Sequence, residues 1–153
     1  MARTWLQIRV ELLGGRDLIC EPPPGRVMLV GPSHTFAQLA EAIDLAFARW
    51  DLAHLHAFEL ADGRQIGYPD PDFDEPHFED HAALKVASEL APGDEFTYTF
   101  DFGDDWRHRC RVLPKKVDPR DEYGTPPRQP VPIWGWGWIP DQYGRETLED
   151  EDV

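Results

Sequence analysis

The chain is short of cysteine, serine and basic side chains, and it has no long apolar run. Its two cysteines, Cys20 and Cys110, lie far apart in 153 residues. They exclude a four-cysteine zinc site within one chain. Without a secretion signal, such sparse usage fits a reduced, cytoplasmic protein. Ser33 and Ser88 are the only serines, and neither stands in the Gly-x-Ser-x-Gly elbow of a serine nucleophile. No segment approaches the roughly 18 apolar residues needed to span a membrane. The opening MARTWLQIRVELLGG interleaves charge with apolar residues and reads as a strand rather than a leader. Basic residues number 15 against 29 acidic ones, a net charge of -14. Such a surface repels nucleic-acid phosphate at long range, although it leaves room for a local basic patch.

What is present suits one folded domain. Hydrophobic residues make up 41% of the chain, with 6 Trp, 8 Phe and 4 Tyr, enough for a single core at this length. Leu6, Ile8, Val10 and Leu12 alternate with polar residues up to Gly14-Gly15, a half-buried first strand. Arg26 to Val30 reads as a second strand. Thr35 and Gln38 have capping-box spacing, with Ser33 as a competing cap. Phe36, Leu39, Ala40, Ile43, Phe47 and Trp50 then form one apolar stripe, which predicts a helix ending near Trp50 or Asp51. AHLHAFEL alternates again, with His54, His56, Phe58 and Leu60 on one side. Asp62-Gly63 is a turn signal before a return strand in QIGY. Pro69 to Asp80 is acidic and proline-rich and reads as an exposed loop. One helix among several short strands predicts an α+β fold: one domain with a mostly antiparallel sheet and one main amphipathic helix. The domain is expected over 1–140, with an acidic, frayed tail over 141–153.

The segment FTYTFDFGDDWRHRCRV reads as a hairpin. Phe96, Tyr98, Phe100, Phe102, Trp106, His108, Cys110 and Val112 are all even-numbered. Parity therefore favours a three-residue loop that pairs Phe102 with Trp106 and Phe100 with His108. The polar face then sets Asp101 opposite Arg107, Thr99 opposite Arg109 and Thr97 opposite Arg111, and a bulged or longer turn stays open. Gly103 is expected to supply a conformation that side chains resist. Asp104 or Asp105 is expected to accept turn amides. Cys110 is expected to be a buried, inert thiol.

These residues resemble the Tyr-Asp-Phe-Gly-Asp-x-Trp-x-His signature of the plasmid pRiA-type ORF-three-like family, small bacterial and archaeal domains also found beside insertion-sequence transposase genes. TWLQIRVELLGG, HTFAQLAEAIDLAFARWDLAHLHAFEL, IGYPD and LAPGDEFTYTFDFGDDW are similar to the family in the same order, from Trp5 to Val112. RDLICEPPPGRVMLV departs from the family's Pro-x-Ile-Trp-Arg-Arg run, and PVPIWGWGWIPDQYGRETL replaces its usual tail. The resemblance implies a compact α+β fold with a mixed sheet, and no established activity.

Three chemical readings compete. Arg107, Arg109 and Arg111 share one strand face, and Lys115-Lys116 follow. This basic face could meet a protein or nucleic-acid partner, unless acidic neighbours neutralise it. His54, His56 and His108, with Asp101 and with His34 or Asp104 nearby, could hold a divalent metal for a metal-dependent enzyme. Packed histidines with ordinary backbone partners explain the same pattern more simply. An accessory nucleic-acid role in plasmids or insertion sequences rests on genomic association alone. Trp134, Trp136 and Trp138 are expected to pack in the core, with an exposed stacking platform as the other possibility. The leading reading is a cytoplasmic, non-enzymatic interaction module.

Overall fold

The computed structural model describes residues 4–72 and 77–145. Among these, nine strands form one sheet, with β2 pairing β1 and the rest in the order β6-β5-β4-β7-β8-β1-β3-β9. The strands are β1 (Leu6–Gly15), β2 (Leu18–Ile19), β3 (Gly25–Val30), β4 (His56–Leu60), β5 (Gln65–Gly67), β6 (Glu79–Asp80), β7 (Glu95–Phe100), β8 (Trp106–Val112) and β9 (Val131–Trp136). Every pairing is antiparallel except β5 with β6, so the sheet is mixed. The helices are α1 (Phe36–Ala46), α2 (Val86–Glu89) and α3 (Pro119–Tyr123). This is the α+β architecture that the alternation predicts. Among the described residues no helix is long and apolar enough to cross a membrane.

Period-two patterning sends Ile8, Val10 and Leu12 of β1, Phe96, Tyr98 and Phe100 of β7, and Trp106, His108, Cys110 and Val112 of β8 inward. Phe36, Leu39, Ala40 and Ile43 of α1 are buried with them in one core. The capping box at Thr35 forms: its hydroxyl accepts the Gln38 N–H, and Gln38 Oε1 accepts the Thr35 N–H. The helix stops at Ala46, four residues before Trp50. Phe47 is its C-cap and Ala48 turns left-handed with φ +59°. The apolar spacing continues past the stop because Phe47 still packs in the core.

The β7–β8 register differs from the expected one by two residues. Phe100 pairs with Trp106, Tyr98 with His108 and Phe96 with Cys110. On the other face Thr99 meets Arg107, Thr97 meets Arg109 and Glu95 meets Arg111. The turn thus spans five residues, 101–105, and parity is kept because three and five are both odd. Left-handed backbone falls on Asp101 (φ +63°) and Asp105 (φ +57°) rather than on Gly103. Asp101 Oδ1 accepts the N–H groups of Gly103 and Asp104, so Asp101, not Asp104 or Asp105, satisfies the turn amides. Phe102 leaves the aromatic face, stands exposed at the tip and stacks on Phe78 with ring centroids 6.2 Å apart. The expected Asp101–Arg107 pair is replaced by Arg107 Nη1 to Asp105 Oδ2 at 2.9 Å.

Two expectations for the C-terminal region also change. Trp134 is 69% exposed on β9 and Trp138, beyond the strand, is 77% exposed. Trp136 is half-buried under the Arg9 guanidinium at 4.6 Å. The core reading of this tryptophan row therefore fails, because β9 lies at the sheet's end and turns the row outward. Asp141 to Tyr143, assigned by composition to the tail, pack against the fold instead: Gln142 is fully buried and bonds the backbone of Trp50 and Asp51. The remainder of the acidic tail lies outside the described residues, as does part of the acidic loop after Pro69.

Candidate functional site

Strand alternation builds two faces of opposite character. The inner one carries the histidines. His108 is buried; its Nδ1–H donates to the Tyr98 carbonyl at 2.9 Å and its ring edges against Phe47. Burial, with Arg49 adding to it, lowers its pKa to about 4. His56 Nε2 lies 2.8 Å from His81 Nδ1, one ring donating to the other. Burial first and His81 second lower His56 to about 4, and burial lowers His81 too. His34 is buried; its Nδ1 accepts the Gly31 N–H and its ring edges against Trp5. His54 precedes β4. Its Nε2 lies 2.7 Å from Tyr143 Oη and 3.4 Å from Asp51, and its Nδ1 lies 3.5 Å from Asp101.

The structure therefore does not bring His54, His56 and His108 to one point. Each ring has its own partner, and the two carboxylates beside His54 stand at opposite ring nitrogens. Among the described residues no three His, Cys, Asp or Glu side chains converge as metal ligands. The polar groups of this face are used to join elements of the fold. Asp44 of α1 is buried and accepts a hydrogen bond from Tyr98 at 2.7 Å. Desolvation raises its pKa to about 8, against the smaller opposing effects of Tyr98 and Arg49. Cys110 is buried and desolvation pushes its thiol well up, so it is inert.

The outer face is organised by cross-strand register. One row runs Trp134, Val27, Arg9, Arg111, Glu95 across β9, β3, β1, β8 and β7. The next runs Trp136, Gly25, Glu11, Arg109, Thr97, Glu59, Gln65. A third sets Gly14, Arg107, Thr99, Ala57 and Gly67 side by side. Arg9, Arg107, Arg109, Arg111, Glu95, Thr97 and Glu59 are all exposed. Arg9, Glu11, Glu95, Arg109 and Arg111 line a shallow cleft of about 370 Å³. A neighbouring trough of about 420 Å³ has Ala57, Thr97 and Thr99 among its lining, with Phe78 and Phe102 beside them.

The three arginines singled out from sequence thus share one face, and Arg9, Trp134 and Trp136 join them. Arg9 was hidden in sequence because its strand pairs with β8 from more than 90 positions away. Lys115 and Lys116 are exposed just past β8, and the Lys115 carbonyl accepts from Gln7. The basic character is partly offset: Glu11 lies 3.2 Å from Arg109 and 3.7 Å from Arg9, and Arg107 is held by Asp105. Arg111 makes no ion pair among the described residues.

Architecture and site together define a small α+β domain with a buried inner face and a broad, open outer sheet face. The chain matches the Plasmid pRiA4b ORF-3-like protein family over residues 4–130, and it belongs to that family. No curated protein matches it. Among solved structures it is similar to a protein of unknown function, MM3350, from Methanosarcina mazei Go1. That similarity has 24% identity and a TM-score of 0.68, and covers 97% of this chain and 86% of the other. The likeness extends the shared fold through β9 and the segment after it.

Proposed function

We propose that this domain is a non-enzymatic interaction module of the cytoplasm, and that the open sheet face is its contact surface for a macromolecular partner. The observation that carries this reading is the cross-strand row Trp134–Val27–Arg9–Arg111–Glu95, which gathers exposed tryptophan and arginine from distant stretches of chain. Tryptophan and arginine are, with tyrosine, the residues enriched in the hot spots of protein interfaces. The histidines support the non-enzymatic part. His34, His54, His56, His81 and His108 are each tied to a structural partner, and the most shifted ones lie on the core side, away from the two open clefts. The two thiols are unpaired, in keeping with a reducing compartment.

A photo-crosslinking residue placed in cells at Thr97, on the outer face, and separately at Glu41, exposed on α1, tests the surface directly. Discrete macromolecular adducts are expected at 97 and none at 41. Equal adduct patterns at both positions overturn the assignment of the face.

A further inference from the structure

We propose that the partner taken by this face is single-stranded nucleic acid, with backbone phosphate held between Arg9, Arg109 and Arg111 and a base stacked on Trp134. The inference rests on the open-face reading above and adds the chemistry of the partner.

Arg9 and Arg111 are directly opposite in the β1–β8 pairing. Like charges so placed, on one face of an antiparallel pair, repel and destabilise it. The nearest relief is incomplete: Glu11 sits at the long distance of 3.7 Å from Arg9 and is shared with Arg109, while Glu95, opposite Arg111 on β7 and part of the same cleft, makes no ion pair with it. An anion entering the cleft lined by these arginines removes the repulsion, and a guanidinium fork fits phosphate in particular. The aromatic part of the ligand has its place in the same rows. Trp134 lies two strands beyond Arg9, about 10 Å across the sheet, with its ring largely bare. Trp136, beside it, already carries Arg9 on one face. Phosphate sites and exposed rings in one row on an open sheet are what a single strand requires, because unpaired bases offer faces that a duplex conceals.

Geometry also disfavours an extended peptide added at the sheet's edge. β9 carries Pro132 and a register shift, and β6 has two residues, both acidic. Both devices blunt an edge. The chain's net charge of -14 makes the expected binding local, weak at high salt and dependent on these few arginines.

Fluorescence anisotropy of a labelled 20-nucleotide mixed-sequence DNA strand, its RNA counterpart and the corresponding duplex, each titrated with full-length protein over 50–200 mM salt, is the test. Single strands are expected to bind at least about ten-fold tighter than duplex, with affinity falling as salt rises. The Arg9→Gln, Arg111→Gln double variant should weaken binding at least about ten-fold and flatten the log–log salt slope by about 1.4, roughly 0.7 for each phosphate no longer neutralised. Trp134→Ala should weaken it about ten-fold with the slope unchanged, since stacking releases no counterions. Arg120→Gln, exposed on α3, should bind as wild type; Trp134→Ala should melt with wild type, and the double variant close to it, the like-charge pair it relieves offsetting the Arg9–Trp136 contact it loses. No single-strand binding at 50 mM salt, duplex binding as tight as single-strand, or an unaffected double variant each overturns the inference. If binding is absent while Thr97 still crosslinks to protein, the face remains the contact surface and its partner is a protein.

Discussion

At the scale of single residues, the inner face is governed by buried groups whose charge states the fold dictates. Asp44 is the clearest. Its carboxyl is buried against the Tyr98 hydroxyl, and desolvation raises its pKa to about 8. The folded state therefore holds a proton there that the unfolded chain, with an ordinary value near 4, releases. Stability from this group is fully present below about pH 4 and declines as pH rises to about 8, by at most on the order of 5 kcal/mol. Urea unfolding at pH 5 and pH 9 should show Asp44→Asn losing much less stability between the two than wild type does. His56 and His108 act with the opposite sign. Their pKa values are depressed to about 4, so their stabilisation is present above about 6.5 and is lost as pH falls to about 4, roughly 3 kcal/mol each. Urea unfolding repeated between pH 6.5 and pH 4 should show His56→Gln losing less stability than wild type, by roughly 3 kcal/mol. A His56→Gln profile that overlays wild type between pH 4 and 6.5 would show that the His56–His81 pair does not stay neutral in the fold.

Secondary-structure elements were legible where side-chain period sets them and illegible where the backbone alone decides. The faces of β1, β7 and β8 follow parity, and the α1 start follows the Thr35–Gln38 box. Parity fixes a hairpin loop only modulo two, so it cannot separate three residues from five. The difference lies in Asp101, a non-glycine residue in the left-handed region whose carboxylate accepts two amides ahead of it. Aspartate tolerates that conformation better than most residues, but a run of DFGDD does not say which aspartate does so. Asp101→Ala should cost about 2 kcal/mol, since it loses the turn hydrogen bonds and keeps the strained φ. Asp101→Gly should cost about half as much, because it relieves the backbone. Chemical denaturation of the two variants decides this: equal losses, or Gly worse than Ala, would mean that backbone strain contributes nothing. The candidate face was partly legible for a related reason. Arg107, Arg109 and Arg111 share a strand and show themselves by spacing, whereas Arg9 and Trp134 reach the same row only through long-range pairing. Asp44 and Gln142 gave weaker signals: position 44 continues the buried Phe36–Ala40 face, and Gln142 lies in a segment that composition had assigned to a tail.

Across the whole molecule, the segment after the family match completes the fold. Residues 131–136 add β9 to the sheet beside β3, and the chain then returns to the end of α1. There the helix has stopped at Ala46, and the loop that follows needs partners for its backbone. Gln142 supplies them: Oε1 accepts the N–H groups of Trp50 and Asp51, and Nε2 donates to the Asp51 carbonyl. Arg49 donates to the Pro140 carbonyl from its buried site over Trp106. Tyr143 ties Asp51 and His54 together in the same place. Arg145 holds Asp141 and lies over Trp50. This clasp joins the end of β9 to the loop between α1 and β4, so it also sets where Trp134 and Trp136 stand on the outer face. Gln142→Ala removes three hydrogen bonds to buried or half-buried backbone and should destabilise the domain by about 3 kcal/mol. Tyr143→Phe, at a half-exposed position, should cost less than about 1 kcal/mol. Thermal melts followed by tryptophan fluorescence measure both, and hydrogen exchange at Trp50 and Asp51 locates the effect. Faster exchange at those two amides in Gln142→Ala, with the β7–β8 amides still protected, is the expected pattern. Unchanged exchange at Trp50 and Asp51 would mean that the segment after β9 does not hold the α1–β4 loop.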